Sequence, residues 1–160
     1  MSAMPDTPPP PRLAPLLRRS WYHLNQAFRR RIQATGLTPD QFTVLRWLLE
    51  HPLGMTQREL ADLMASDANT ITSLLTRMQA AELIERHAHS SDRRCNVLLP
   101  TSKGRAIHQR LQPVASALQD TVLASFSLED RTRFLTQLAL VAQACQDIAA
   151  LQRSSAKKVR

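Results

Sequence analysis

The chain has 160 residues, a length that suits one globular unit with an added oligomerisation module. Apolar residues make up 43% of it, aromatics only 4%, and it has 3 Gly, which favours a mainly helical fold over a β-sandwich or β-barrel. Its net charge is +8, yet residues 36–104 carry 7 basic and 8 acidic side chains, so the excess lies in the flanks. Bulk charge therefore gives only weak support for a nucleic-acid partner.

Simple patterns argue against several other classes of protein. Cys95 and Cys145 are isolated from each other, which speaks against a disulfide framework or a zinc site and suits a reducing cytosol. No uninterrupted apolar run approaches about 18 residues, so we expect no membrane partner and a cytoplasmic protein. Residues 1–12 are rich in Pro and lack the pattern of a secretory signal, which predicts a disordered lead.

The first predicted helix spans residues 13–35, and Gly36 is a suitable stop. Its apolar side chains recur every three or four residues, which predicts one continuous apolar stripe. This stripe is more than a small domain needs for its own core, so we expect it to serve in dimerisation. The stripe consists of Leu17, Trp21, Leu24, Phe28 and Ile32.

Two capping boxes mark the starts of the next two helices. In the first, Thr38 caps a helix and Gln41 returns the hydrogen bond, with Pro39 at the first helical position. In the second, Thr56 is followed three residues later by Glu59. The predicted inward residues are Phe42, Leu45 and Leu49 in the first helix, and Leu60 and Leu63 in the second, which extends to about Met64.

A fourth helix, from Asp67 to Ala81, is the candidate recognition helix of a nucleic-acid-binding protein. Its inward face is apolar (Ile71, Leu74, Leu75, Met78), and its outward face has short polar side chains that suit base edges and phosphates. The free N–H groups at the start of the preceding helix, at Thr56 and Gln57, suit a phosphate. An ordinary solvated surface is the alternative. The outward residues are Asn69, Thr70, Thr72, Ser73, Thr76 and Arg77.

A β-hairpin with a charged tip is predicted next, from strands over residues 83–88 and 96–99. Its tip has Asp92, Arg93 and Arg94. A narrow minor groove attracts arginine, and Asp92 is placed to brace one arginine by a charge-assisted hydrogen bond. The alternative is a turn that only aids solubility.

Two more helices are predicted over residues 102–153, followed by a basic tail over 154–160. Thr101 caps the first of them, and Pro113 is expected to kink it. The last helix begins after Ser127 and has an apolar seam at spacings of three and four, which predicts a second dimerisation surface. The seam consists of Phe134, Leu138, Val141, Cys145 and Ile148.

The order of elements predicts a winged helix-turn-helix over residues 37–101, flanked by dimerisation helices, in a mainly α fold with a small β-hairpin wing. Here the sequence resembles the multiple-antibiotic-resistance regulator (MarR) family. LTPDQFTVLRWL is similar to the family's second helix, and TQRELADLM with NTITSLLTRMQAAELIER is similar to its helix-turn-helix. SDRRCNVLLPTSKG is similar to its wing motif, which Asp92, Arg94, Thr101 and Gly104 match.

The resemblance implies a homodimeric, bacterial, nucleoid-associated transcriptional regulator, with repression as the default. Two-fold symmetry then implies a pseudo-palindromic operator in double-stranded DNA, with half-sites about 10 base pairs apart. Many relatives are released by a small aromatic or phenolic ligand. The chain departs from the family at Ala65 and Glu82, where Gly is frequent, and at Pro100, where the family has Leu. A left-handed backbone at either non-Gly position would cost about 1 kcal/mol.

The candidate effector pocket contains Trp21, Arg46 and Trp47, because Trp47 lies off its helix's apolar stripe and Arg46 can bind a carboxylate. Packing of both tryptophans at the dimer interface is the alternative. Cys95 follows the wing arginines, so its oxidation would perturb DNA contact if the thiol is exposed, and an unreactive thiol is the alternative. Cys145 is predicted to lie in the core.

No cofactor, metal site or catalytic activity is expected. His87 and His89 can share a strand face but have no nearby third ligand. The chain also lacks a Gly-rich phosphate loop and the common hydrolase motifs. A winged-helix adaptor that binds protein instead of DNA remains the alternative function, because residues 36–104 carry no excess of positive charge.

Overall fold

The computed structural model describes residues 11–88 and 96–158, with side chains as far as residue 151. This part of the chain is mainly helical with one small sheet, which confirms the predicted fold class. It divides into two compact units, the first ending at Leu118 and the second beginning at Gln119. In chain order the elements are α1 (Leu13–Ile32), a 3₁₀ turn (Gln33–Thr35), α2 (Pro39–Glu50), β1 (Met55–Thr56), α3 (Gln57–Leu63), α4 (Ala68–Ala80), β2 (Ile84–Ala88), β3 (Asn96–Pro100), α5 (Ser102–Val122) and α6 (Leu128–Lys158).

The sheet is antiparallel, with the strand order β1-β3-β2. The strand β1 was not predicted, because two residues are too few to show the alternation of a strand. Met55 pairs with Leu98, so β1 adds a third strand beside the predicted hairpin. Pro100 is the last residue of the central strand, opposite Ile84, where its missing N–H ends the ladder instead of interrupting it.

One hydrophobic core fills the first unit. It joins the end of α1 (Phe28, Ile32) to α2, the helix-turn-helix, the sheet and α5 (Leu111, Leu118). All four predicted inward residues of α4 are buried, which confirms its apolar stripe. The side chains with almost no exposure are Ile32, Val44, Leu45, Leu48, Leu60, Ile71, Leu75, Met78 and Leu98.

Two of the predicted inward faces were wrong in detail. In α2 the structure buries Val44 and Leu48 beside Phe42 and Leu45, whereas Leu49 is only half-buried. In α3 Leu63 is 38% exposed, and Met64 packs on the core instead. A helix of seven residues has too few apolar positions for the sequence to show which of two adjacent ones faces inward.

The backbone is left-handed at both non-glycine positions where the family frequently has glycine. Ala65, between α3 and α4, has φ 48°, and Glu82, between α4 and β2, has φ 58°. Each conformation costs a residue with a Cβ about 1 kcal/mol relative to glycine. Gly36, which ends the 3₁₀ turn with φ 71°, has no such cost.

The Thr-x-x-Gly part of the wing motif packs against the backbone of residues 82–83. The Thr101 hydroxyl donates to the carbonyl of Glu82 at 2.6 Å and accepts from the Gly104 N–H at 3.0 Å, so it caps α5. A Cβ on Gly104 would collide with the carbonyl oxygen of Leu83. The motif is therefore explained by a close approach of α5 to the chain that enters β2. Helix α5 runs from Ser102 to Val122 with Pro113 inside it, and the kink expected at this proline stays a prediction.

The second unit exposes most of its apolar side chains. Cys145, predicted to lie in the core, is exposed, whereas Leu138 and Val141 of the same seam are half-buried. The helical backbone also continues to Lys158, into the predicted tail. By length and composition alone, the segment Leu128–Leu151 could cross a membrane: its mean hydropathy is 1.3, and none of it is buried. The sequence expectation missed this because polar residues interrupt the apolar ones. A helix covered by a partner subunit has the same length and composition.

Candidate nucleic-acid interface

The polar face of α4 lies opposite its apolar face, as expected. The six predicted outward residues are all exposed. The helix has its buried stripe against the core of the first unit, so its orientation within that unit is well determined by packing. The polar face is therefore presented to solvent by a rigid support. Its residues are Asn69, Thr70, Thr72, Ser73, Thr76 and Arg77.

Asp67 caps the start of α4. Its carboxylate accepts from the N–H groups of Asn69 and Thr70 at 3.0 and 2.9 Å and from the Thr70 hydroxyl at 2.6 Å. The Thr70 hydroxyl, followed by the Thr70 N–H, lowers the pKa of Asp67 below its usual value. The carboxylate is thus ionised at neutral pH and turns the Thr70 hydroxyl toward the cap.

Most outward hydroxyl groups of α4 donate to the helix itself. The Thr72 hydroxyl donates to the Ala68 carbonyl at 2.6 Å, and the Thr76 hydroxyl donates to the Thr72 carbonyl at 2.9 Å. Arg77 donates through Nε to the Ser73 carbonyl at 3.2 Å. Within the described part of the chain, the side chains of Asn69 and Ser73 make no hydrogen bond. The polar groups most available to a ligand are therefore the side chains of Asn69 and Ser73, one helical turn apart, and the terminal nitrogens of Arg77.

The start of α3 lies beside this face. Thr56 and Glu59 form the predicted capping box, with the Thr56 N–H donating to Glu59 at 2.7 Å and the Glu59 N–H donating to Thr56 at 3.2 Å. Gln57 donates through Nε2 to the Thr72 hydroxyl oxygen at 2.7 Å. The structure thus joins the two predicted polar sets, one at the start of α3 and one on α4.

Sequence reasoning missed Arg86 and Gln79. Arg86, in β2, donates through Nε to Gln79 Oε1 at 3.0 Å and through Nη2 to Gln57 Oε1 at 3.2 Å. Since Arg86 and Gln57 are 29 positions apart, no local pattern could have indicated this contact.

The wing residues Asp92, Arg93 and Arg94 lie outside the described residues, as do His89 and Cys95. The strands on either side are described, and Ala88 pairs with Asn96.

The three candidate effector residues are not brought together by any contact between described residues. Trp21 is 63% exposed on α1. Arg46 is exposed on α2 and pairs with Glu50 at 3.0 Å, while Trp47 is half-buried against the core. The grouping of a tryptophan pair with Arg46 therefore stays a prediction.

His108 on α5 lies next to α2. Its ring stacks on Phe42, with centroids 4.7 Å apart, and its buried Nε2 has no hydrogen-bond partner among the residues that the structure describes. Burial lowers the pKa of His108, the positive charge of Arg46 lowers it further, and Glu50 opposes them. His108 is therefore held neutral near physiological pH.

No group of three or more metal-ligating side chains occurs in the described ranges. His87 is engaged instead with Glu85, at 3.0 Å between Nε2 and Oε1.

Comparisons with known proteins place this architecture in a family. A family model described as "MarR family" matches residues 35–94. The chain is 30% identical over 118 residues to the transcriptional activatory protein BadR of Rhodopseudomonas palustris, covering 72% of this chain and 67% of BadR. The transcriptional repressor CouR, solved with a 23-mer DNA duplex, is 30% identical with a TM-score of 0.71, over 82% of this chain and 92% of CouR.

A third relative is the regulator MOSR of Mycobacterium tuberculosis, solved in complex with DNA. It is 31% identical with a TM-score of 0.66, over 84% of this chain and 98% of MOSR. Two solved relatives at this identity, each covered over nearly its whole length, agree with the family model and with the helix-turn-helix and wing geometry. The chain belongs to the MarR family of winged-helix transcriptional regulators.

Proposed function

We propose that the protein is a sequence-specific DNA-binding regulator that acts as a homodimer on a pseudo-palindromic operator. The observation that carries the proposal is the exposed polar face of α4, supported by a fully buried apolar face, in a chain similar to two regulators solved with DNA. We propose that the protein represses transcription, as CouR does, although the similar BadR is an activatory protein. We assign it no catalytic role and a cytoplasmic, nucleoid-associated location.

Within this function we assign base reading first to Asn69 and Ser73. Their side chains make no hydrogen bond with other described residues, and an Asn amide matches the donor and acceptor of adenine in the major groove. Thr70, Thr72, Thr76 and Arg77 supply further polar contacts. Phosphate is proposed to bind at the backbone N–H of Gln57, because Thr56, the other predicted phosphate contact, donates both its N–H and its hydroxyl to Glu59. Asp92, Arg93 and Arg94 of the wing are proposed to enter the minor groove.

The homodimer is proposed to form through the exposed apolar side chains of the outer helices. On α1, Trp21 is 63% and Leu24 43% exposed, and on α6, Phe134 is 38% and Ile148 58% exposed. Such surfaces on a soluble regulator mark sites of association. The proposed segments are 13–35 and 102–153 for dimerisation and 37–101 for DNA binding, with a Pro-rich lead over 1–12 and a basic tail over 154–160.

Release by a small aromatic or phenolic acid is proposed at Trp21, Arg46 and Trp47. Arg46 offers a guanidinium whose carboxylate partner, Glu50, is itself exposed, so an incoming carboxylate competes for it. A thermal-shift screen with benzoate and hydroxycinnamates tests this. An upward shift that is lost in Arg46→Ala and Trp47→Ala supports the pocket, and the same shift in both variants overturns it.

Selection from a random double-stranded DNA library tests the main function. Wild-type protein should enrich a pseudo-palindrome with half-sites about 10 base pairs apart. Asn69→Ala should weaken binding to the enriched duplex by about 1–3 kcal/mol, because one base contact is lost. Gln109→Ala, at an exposed position of α5, is the matched control and should bind like wild type. Failure to enrich any sequence would contradict the proposal.

A further inference from the structure

We propose that Arg86 is a positioning residue: it determines whether the polar groups of the DNA-binding face present hydrogen-bond donors or acceptors. This inference rests on the proposed DNA-binding function. Arg86 is the only described link from β2 to both helices of the helix-turn-helix through side-chain hydrogen bonds, at 3.2 Å to Gln57 of α3 and 3.0 Å to Gln79 of α4. It therefore joins the first residue of α3 to the last turn of α4.

The direction of each hydrogen bond follows from the chemistry of arginine. A guanidinium has only donors, so Gln57 and Gln79 must both turn their carbonyl oxygens toward Arg86. The amide nitrogen of Gln57 is then turned away, and it donates to the Thr72 hydroxyl oxygen at 2.7 Å. Thr72 can accept this bond because its own proton goes to the Ala68 carbonyl at 2.6 Å. One arginine thus determines the orientation of a chain of polar groups that ends on the outward face of α4.

The consequence for recognition is specific. With its carbonyl bound by Arg86 and one N–H bound by Thr72, the Gln57 amide has one remaining N–H, a donor. A donor at this position fits the N7 and O6 acceptors of guanine in the major groove, a contact that carries sequence information. Without Arg86 the amide is free to rotate and present its carbonyl oxygen, which these acceptors repel.

The strand places Arg86 for this role. Side chains alternate across a strand, so Arg86 shares a face with the buried Ile84, which packs in the core beneath the helices. Glu85 and His87 point to the opposite face and pair with each other at 3.0 Å. Arg86 forms no ion pair with any described residue, so its positive charge is not neutralised beside the DNA-binding face.

Lysine is the informative substitution. It keeps the positive charge but lacks the planar fork that holds two amides at once. If Arg86 acts through Gln57 and Gln79, Arg86→Lys should behave like Arg86→Ala. If Arg86 instead contacts phosphate directly, lysine should restore most of the binding.

The experiment measures fluorescence anisotropy on two duplexes, the one enriched by wild type and a random one of equal length. Arg86→Lys and Arg86→Ala should each lower the ratio of specific to random affinity by about tenfold, whereas the salt slope of Arg86→Lys stays that of wild type. Arg110→Lys on α5 is the matched control and should change nothing. Adding Gln79→Ala to Arg86→Ala should cause little further loss, because both remove the same interaction.

Two results would overturn the inference. One is binding of Arg86→Lys at wild-type strength on both duplexes. The other is an equal loss of Arg86→Ala on both duplexes with a salt slope lowered by about 1, as a direct phosphate contact predicts.

A DNA-free measurement separates this inference from the proposed function. In the free protein, the Arg86 Nε–H should exchange slowly with solvent in NMR spectra and become fast in Gln79→Ala. Slow exchange with no DNA sequence enriched by wild type would mean that the contact exists but that the proposed function and the recognition role of Arg86 are both wrong. Fast exchange in wild type would mean that the contact itself is wrong. Thermal unfolding of each variant shows that the fold is retained.

Discussion

The helix-turn-helix and α6 have apolar stripes of the same period but opposite surroundings. Ile71, Leu75 and Met78 of α4 have 0% exposure within the single chain. On α6, Phe134 is 38% exposed and Ile148 58%. Both helices were predicted from spacings of three and four residues. The period shows that one face of a helix will be covered, but not whether the chain itself or a second chain covers it.

The two stripes also concern two different equilibria, the folding of one chain and the association of two chains. Burial in the first unit contributes to the folding of each chain, whereas the seam of α6 is proposed to contribute mainly to association with a partner. Substitutions in the two regions should therefore be detected by different measurements.

The largest expected effect comes from the covered stripe. Leu75→Ala should lower the free energy of unfolding by about 2–5 kcal/mol, because it removes a fully buried side chain and leaves a cavity. Leu140→Ala is the matched control, since Leu140 is 67% exposed and lies off the α6 seam. Its cost should stay within about 0.5 kcal/mol. Denaturant unfolding at one fixed protein concentration measures both, and similar losses would contradict the contrast between the regions.

A charge on the uncovered stripe should act on assembly. Ile148→Asp places a carboxylate in the proposed dimer seam, where burial of an unpaired charge costs about 3 kcal/mol, so dimer dissociation should rise roughly a hundredfold. Sedimentation velocity at micromolar concentration should show a folded monomer. Gln146→Asp, on another side of α6, should remain dimeric. A dimeric Ile148→Asp would show that the seam is not the interface.

Within the first unit, sequence predicted what local rules decide. Both capping boxes and the buried face of α4 depend on residues within a few positions of each other, and the structure has them all. The strand β1 and the inward position of Met64 were missed, because both depend on neighbours distant in the chain.

The candidate site shows the same limit. The outward residues of α4 were predicted as a set of six, but the pattern could not show that most of their hydroxyl groups bond to the helix itself. Among these six, the side chains of Asn69 and Ser73 make no hydrogen bond to a described residue, and Arg77 uses only its Nε. The contact of Arg86 with Gln57 required β2 to fold back beside α3, which no spacing in the sequence indicates.

A smaller effect is expected at the two left-handed residues that bracket α4. Ala65→Gly and Glu82→Gly should each raise the free energy of unfolding by about 1 kcal/mol, because φ values of 48° and 58° are strained for residues with a Cβ. Ala144→Gly, inside α6, is the matched control and should lower the free energy of unfolding. A loss of stability in Ala65→Gly or Glu82→Gly, measured by denaturant unfolding, would show that the turns do not have this strain.

The smallest expected effect concerns the pH dependence of stability, and it belongs to the first unit alone. The folded pKa of His108 is lowered, so the unfolded chain binds a proton more readily. The contribution to stability is present above the unfolded pKa, near 6.5, and is lost as pH falls below it toward the folded pKa. His108→Phe preserves stacking on Phe42 and should flatten this part of the pH dependence. Unfolding curves recorded from about pH 5 to about pH 8 measure this contribution, and an unchanged slope would contradict the assignment.

Hydrogen exchange with and without the enriched duplex tests the central claim most directly, since it compares the two regions in one experiment. DNA should slow exchange in peptides that cover α3 and α4, and it should leave the α6 peptides unchanged at a protein concentration where the dimer is already formed. Protection confined to α6, or exchange in α3 and α4 that does not respond to DNA, would contradict the account.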